Sequence, residues 1–299
     1  SEYTLTGSEP EGGLDFVIDA TDYMGNPGSY NLTTDGSQVT YDKTPPELTY
    51  VNISSNNADT AWAKVDDSIS IAFTSNEIIS SYSSLTFDGV DDYVGIDQTI
   101  LNDMTQFTMA GWLKINSAGN REGFFGQNNV IEVGWQNAQT MWTWTSGGGQ
   151  VLWDIDNSFS FGQWHHFVTV GSGSNIKIYI DGDLKATNGT NTSNYGSTNY
   201  NFNIGGGGIF DAGGNWFDGK IFEVAVWDIA LSDQDINNLF NNNNSVLNVV
   251  NQENLVGYWD FNDGVGTTLT DLSGNGTNGT IHGAIWDTDA PVFINNDNI

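Results

Sequence analysis

The sequence predicts an all-β protein made of two β-sandwich modules and one short helix. Three observations carry that prediction. Nearly every apolar stretch alternates with period two and is closed by Gly, Asn, Asp or Pro, as in "FVIDATD" (16–22), "SISIAFTS" (68–75) and "IKIYIDG" (176–182). A single segment, "ALSDQDINNLFNN" (230–242), carries helical spacing instead. Finally, 38% hydrophobic and 13% aromatic residues in a chain of 299 are enough to fill two cores.

In chain order, the first strands fall within residues 1–82. An Asp followed within a few residues by Pro and then an apolar strand start occurs in "YDKTPPELTY" (41–50) and again in "WDTDAPVFI" (286–294). It reads as one linker used twice, at 42–47 and at 288–299, because proline stiffens such a junction. Between these linkers, residues 83–287 form the large domain. "SLTFDGVDDYVGI" (84–96) is two strands broken at an Asp-Gly pair. "GQWHHFVTV" (162–170) alternates, so His165 and His166 point to opposite faces and cannot form one site. In "IYIDGDLKA" (178–186), Asp181 and Gly182 supply the left-handed turn of a hairpin. The helix has Ser232 at the N-cap, Asp235 at the capping-box position, and Leu231, Ile236, Leu239 and Phe240 along one face.

The motifs resemble known families. "EGGLDFVIDATDYMGNPGSYNLTTDGSQVTYDKTPP" (11–46) resembles the second half of a bacterial Ig-like repeat, and residues 48–80 resemble the first half of the next. The resemblance implies two half-repeats joined head to tail and closing one permuted sandwich, since half an Ig fold cannot bury its inner face alone. From residue 84 onward, "LTFDGVDDYVGI", "FTMAGWLKIN" (107–116), "REGFFGQNNVIEVGW" (121–135), "GQWHHFVTV", "IKIYIDGDLKA", "FDGKIFEVAVWDIALSDQDI" (217–236) and "LVGYWDFNDGVGTTLTDLSGNGTNGTIHGAIW" (255–286) resemble the laminin-G-like, concanavalin A-like jelly rolls of bacterial surface proteins. That resemblance implies an extracellular sandwich with a calcium ion held at its rim.

Charge and composition exclude several function classes. With 37 acidic against 7 basic residues the formal net charge is −30, so nucleic acid and anionic membranes are poor partners. The chain has no cysteine and three histidines, so a metal would be a hard cation held by oxygens. No apolar run is long enough to span a bilayer, and residue 1 reads as the middle of something, with an export signal expected upstream. "GNGTNG" (274–279) matches a dinucleotide fingerprint only formally, because neither a helix nor a βαβ unit surrounds it.

The candidate metal ligands are Asp88, Asp91 and Asp92, crowded at the Asp-Gly break. Turn chemistry and cation binding both explain them, since crowded carboxylates repel unless protonated or bridged. Asp218 is a further candidate; it stands in for the acid that the family often has where this chain reads Phe222 in "KIFEV". Asp271 in "DLSGNGTNG" (271–279) and the linker residue Asp42, with Asp287 in the second linker, complete the set.

The candidate ligand-binding residues are Trp144, Trp216, Trp142 and Trp135, because flat rings stack on pyranose faces while Asn, Gln and Asp read hydroxyls. Trp112, Trp164, Trp227 and Trp259 lie in fold motifs and are expected in the core. No alternating acidic run of glycosidase type, nucleophile elbow or phosphate loop occurs, so no catalytic residue is expected. The expected role is non-catalytic, calcium-supported binding of an extracellular glycan by a bacterial cell-surface or secreted protein, in adhesion or in holding a polysaccharide. A spacer in a repeat array, or an accessory domain of a polysaccharide-degrading enzyme, are the alternatives. Neighbouring domains of the same chain are the other expected partners.

Overall fold

The structure is a computed structural model that describes residues 12–13, 16–31, 40–41, 47–57, 59, 61–65, 67–75, 82–241, 246 and 251–291. The chain divides into two compact units, Ser1–Ser80 and Ser81–Ile299.

In the first unit the strands are β1 (Gly12–Gly13), β2 (Ile18–Thr21), β3 (Pro27–Tyr30), β4 (Thr40–Tyr41), β5 (Leu48–Ser55) and β6 (Ile69–Ser75). They pair as β1–β4, β2–β3 and β5–β6, so each ladder stays inside one of the two half-repeats. Ile18, Tyr30, Tyr50, Val51 and Ile53 remain exposed. Among the described residues this unit therefore shows three two-stranded ribbons rather than a closed sandwich.

The second unit is the jelly roll. Its strands are β7 (Ser84–Asp88), β8 (Tyr93–Ile96), β9 (Phe107–Ile115), β10 (Gly123–Gln127), β11 (Ile131–Asn137), β12 (Thr140–Thr145), β13 (Gly149–Asp154), β14 (Trp164–Gly171), β15 (Ile176–Ile180), β16 (Asp183–Asn188), β17 (Phe202–Ile204), β18 (Asp218–Trp227), β19 (Leu255–Trp259), β20 (Thr268–Leu269), β21 (Gly279–His282) and β22 (Ile285–Asp287). One eight-stranded sheet runs β13-β12-β11-β10-β17-β8-β21-β20. The other runs β16-β15-β14-β9-β18-β7-β22, with β19 also on β18. The ladders are antiparallel throughout, and the two inner faces close over a core that includes Phe87, Phe107, Phe124, Phe125, Phe167 and Trp259. At roughly 25 cal/mol per Å² of buried apolar surface, a core of this size dominates the stability of the unit.

The two outer faces differ, and that difference positions the site. Helix α1 (Asp233–Asn241) lays Ile236 and Leu239 onto Ala110, Val168, Val170, Tyr179, Ala225 and Trp227 of the second sheet. That sheet is thus buried on both faces, which is why β9 reads as a nearly continuous apolar run. The helix starts as its capping box requires: the Ser232 hydroxyl accepts from the Asp235 N–H (3.2 Å), and Asp235 accepts from the Ser232 N–H (3.0 Å). The hairpin at Asp181–Gly182 also forms, with φ of 52° and 80°. Asp181 then does structural work: its carboxylate accepts from His165 Nδ1 (2.7 Å) and from the His166 N–H (2.8 Å). The His166 ring lies buried beside Trp112, and burial lowers its pKa to about 4.

The expected linker at 288–299 needs correcting at its start, because residue 289 belongs to the sandwich. Asp289 accepts from Lys114 Nζ and Lys220 Nζ (both 2.8 Å) and from Trp164 Nε1 (3.2 Å), while Ser84 Oγ donates to its carbonyl. Burial pushes this carboxyl up, but the two lysines and the indole outweigh it and hold it well below the usual range. Trp164 is for that reason half-buried rather than core, whereas Trp112, Trp227 and Trp259 are buried as expected.

Candidate functional site

The acidic rim is built by the turn between β7 and β8. Gly89 takes φ 75°, and Asp88 Oδ1 accepts from the Val90 N–H (2.8 Å), the Asx geometry that a tight break needs. Asp92 Oδ2 accepts from the Asp88 N–H at 2.9 Å. Asp88, Asp91 and Asp92 each bring a carboxylate oxygen within 4.8 Å of the others. Burial of Asp92, reinforced by the charges of Asp88 and Asp91, raises its pKa despite the Asp88 N–H. Turn chemistry and convergence therefore hold together, and the donor set is one of hard oxygens suited to Ca²⁺.

The other acidic candidates among the described residues accept hydrogen bonds or pair with a lysine. Asp218 sits opposite Asp88 in the β7–β18 ladder, but its oxygens accept from Asn116 Nδ2 (2.8 Å) and Ser117 Oγ (3.1 Å), and it stands outside the converging trio. Asp271 is a backbone clamp, accepting from the Tyr258, Ser273 and Thr277 N–H groups. Asp287 pairs with Lys220 at 2.9 Å. Asp42 lies outside the described residues.

The aromatic candidates separate by strand alternation. Trp135 is 0% exposed and sits edge-on to Phe124 and Phe159, so it is a core residue and not a ligand contact. On the neighbouring strand Met141 and Thr143 point inward, which turns Trp142 and Trp144, both half-buried, to the outer face of the first sheet. Ladder register places Trp144 in a transverse row of outward positions: Gln150, Trp144, Glu132, Gly126, Asn203, Gly95, Thr280 and Thr268. Trp216, from the Gly-rich segment after β17, lies 5.8 Å from the Tyr93 ring, which in turn stacks on His282 at 4.4 Å. No helix covers this face among the described residues, in contrast to the other sheet.

Tyr93, His282, Phe210, Glu132, Asn203 and Arg121 join the site without having been candidates. The first two are about 190 residues apart in sequence and meet only through the β8–β21 ladder. Glu132 carried a signal in being an acid between apolar neighbours on a strand. It is 4% exposed and accepts from the Asn129 N–H. Burial raises its pKa to about 7 against the lowering effect of Asn129 and Arg121. Glu122, beside it in sequence to Arg121, is likewise raised to about 7 by burial, and so is half-buried Glu223 under the second sheet.

These raised values have a sign. Each carboxyl holds its proton longer folded than unfolded, so its contribution to stability is complete below about 4.5 and lost as pH rises through about 7. The unfolding midpoint is expected to fall across that window, and Glu132→Gln to flatten part of the slope. A thermal-melt series at fixed ionic strength reads this directly; an unchanged slope in the variant would show that Glu132 ionises freely in the fold.

An antiparallel two-sheet sandwich with one helix-covered face and one open aromatic face defines a jelly roll of the lectin-like class. Residues 88–237 match the sequence signature of the concanavalin A-like lectin/glucanases superfamily, and the chain belongs to that family. Among solved structures it resembles a candidate carbohydrate-binding protein from Bacteroides ovatus, with a TM-score of 0.57 at 16% identity over 93% of this chain and 81% of that one. It also aligns with a heptameric SAP-like pentraxin from Limulus polyphemus (TM-score 0.44, 18% identity, 58% of this chain and 89% of that one). A third alignment is to the CBM40 of a Ruminococcus gnavus IT-sialidase bound to α2,3-sialyllactose (TM-score 0.43, 14% identity, 54% and 99%). No protein of curated function matches the sequence.

Proposed function

We propose that the second unit is a non-catalytic glycan-binding module whose sugar-facing surface is the outer face of the first sheet. The observation that carries this reading is the grouping of Trp142, Trp144, Trp216 and Tyr93 with Asn203, Gln150 and Glu132 on the one sheet face that α1 leaves open. Rings for stacking beside amide and carboxyl groups for hydroxyls are what a saccharide needs. The likeness in fold to a candidate carbohydrate-binding protein from Bacteroides ovatus supports it. Calcium at Asp88, Asp91 and Asp92 would fix the β7–β8 turn and contribute about 2.7 kcal/mol at a hundredfold excess over its dissociation constant. We place the protein outside the cell, on a bacterial surface or secreted, where it serves adhesion or holds a polysaccharide.

The test is a glycan array run in Ca²⁺ and in EDTA, with melting temperatures under both conditions. Binding to one polysaccharide class is expected, with Trp144→Ala weakening it at least about tenfold, or ~1.4 kcal/mol, at unchanged melting temperature. Equal binding by that variant would move the site elsewhere. Identical melting in Ca²⁺ and EDTA would remove the calcium. Silence on the array from folded protein would favour the spacer.

A further inference from the structure

The segment joining β17 to β18 runs across the outer face just described. Gly207 packs so closely on Tyr93 that a Cβ there would stand 2.7 Å from the ring, and the Gly208 carbonyl accepts from the Asn128 N–H at 3.1 Å. Beyond them Ile209 is fully buried against Gly123, and Phe210 lays its ring on Trp142 with centroids 5.1 Å apart and planes 9° from parallel.

Two features mark Phe210. Its φ is 68°, a conformation that a bulky residue takes only when its surroundings impose it, as at Phe261 (59°). It is also clamped by Arg121, the one arginine of the chain: Nη2 donates to the Phe210 carbonyl at 3.0 Å, the guanidinium lies 5.6 Å from the ring, and Asp211 is 3.5 Å away. In this stack Trp142 Nε1 and Arg121 Nε are buried without a hydrogen-bond partner. Buried polar atoms are nearly always satisfied, and these two N–H donors sit in contact with one ring, so a hydroxyl arriving in its place would satisfy them.

We propose that Phe210 is an internal stand-in for a sugar ring: it occupies a stacking subsite on Trp142, and a neutral pyranose of the bound glycan takes that place by displacing it. This rests on the glycan-binding reading above. A pyranose keeps the flat apolar contact with the indole and adds a rim of hydroxyl oxygens for the two orphaned N–H donors, which a phenyl ring cannot supply. Neutrality follows from the surroundings. Arg121, the cation in contact with Phe210, already pairs with Asp211, and Glu132 lies within reach of both charges, so no free cation there would hold an anionic sugar. The glycine run 205–208 and Gly213–Gly214 give the segment pivots on both sides of Phe210, while Ile209 keeps it tethered.

The experiment compares the wild-type chain with F210A, F210G, W142A and F210A/W142A against neutral hexasaccharides of the cello, laminari, xylo and manno series, alongside acrylamide quenching of tryptophan fluorescence. Expected are binding about tenfold tighter in F210A and F210G, loss of that gain when W142A is added, and a rise in quenching in F210A that disappears in F210A/W142A. F210G also relieves the φ strain and so guards against a misfolded alanine variant. Wild-type binding that F210A and F210G leave unchanged or weaken would overturn the stand-in while leaving the glycan reading intact. Silence of every variant towards every sugar would overturn the glycan reading and the subsite with it.

Discussion

Trp135→Ala is expected to destabilise the jelly roll by about 3–5 kcal/mol, the range for truncating a large aromatic in a core that cannot collapse around the gap. Trp135 is fully buried, 6.0 Å from each of Phe124, Phe159 and Phe161, and paired across the ladder with Met141. Its loss removes the ring that three others pack on. Trp135→Phe should cost far less: most of the apolar surface stays, and the indole N–H it deletes has no hydrogen-bond partner. Urea unfolding of the three proteins reads both numbers. An alanine variant that unfolds like wild type yet loses glycan would put Trp135 back among the ligand contacts.

That residue shows where sequence is sufficient and where it stops. Period two puts Trp135 on one face with Ile131 and Val133, which is the core face, yet its flat ring kept it among the expected ligand contacts, and its burial corrects that; the same rule turns Trp142 and Trp144 away from Met141 and Thr143. The capping box and the Asp181–Gly182 turn were equally legible, because their chemistry is local: each residue touches only neighbours a few positions away. What sequence could not supply was long-range pairing. Tyr93 meets His282 because β8 pairs with β21, and Phe210 meets Trp142 because a glycine-rich segment leads from β17 back past β10 and β11 to β12; no local pattern encodes either. Acidic loops fail for a different reason. A carboxylate that caps backbone N–H groups and one that holds a cation have the same residue type in the same Asp/Gly/Asn setting, and only the direction of the nearest donors separates them.

Asp271 is the clearest such case, and Asp271→Ala is expected to destabilise the unit by about 3 kcal/mol, with no dependence on calcium. Its Oδ1 accepts from the Tyr258 and Ser273 N–H groups and its Oδ2 from Thr277, at 3.2, 2.9 and 3.0 Å. It thereby ties the loop before β21 to the end of β19. Alanine leaves three N–H groups without an acceptor, each worth about 1 kcal/mol when partly buried. Asparagine should fall between the two, since one carbonyl oxygen can keep the Tyr258 and Ser273 donors while its NH₂ group faces the Thr277 N–H. Burial alone would push the Asp271 carboxyl up, but the Ser273, Thr277 and Tyr258 donors outweigh it and hold it below the usual value. The folded protein therefore releases this proton more readily than the unfolded chain, so the clamp contributes fully above about pH 4 and weakens as pH falls through the depressed value. Wild type should lose stability in that acid window while Asp271→Ala, already without the clamp, loses less. Melting of wild type and variant in Ca²⁺ and in EDTA separates clamp from cation: a deficit in Asp271→Ala of the same size in both media is the expected result, and one that vanishes in EDTA would make Asp271 a calcium ligand after all.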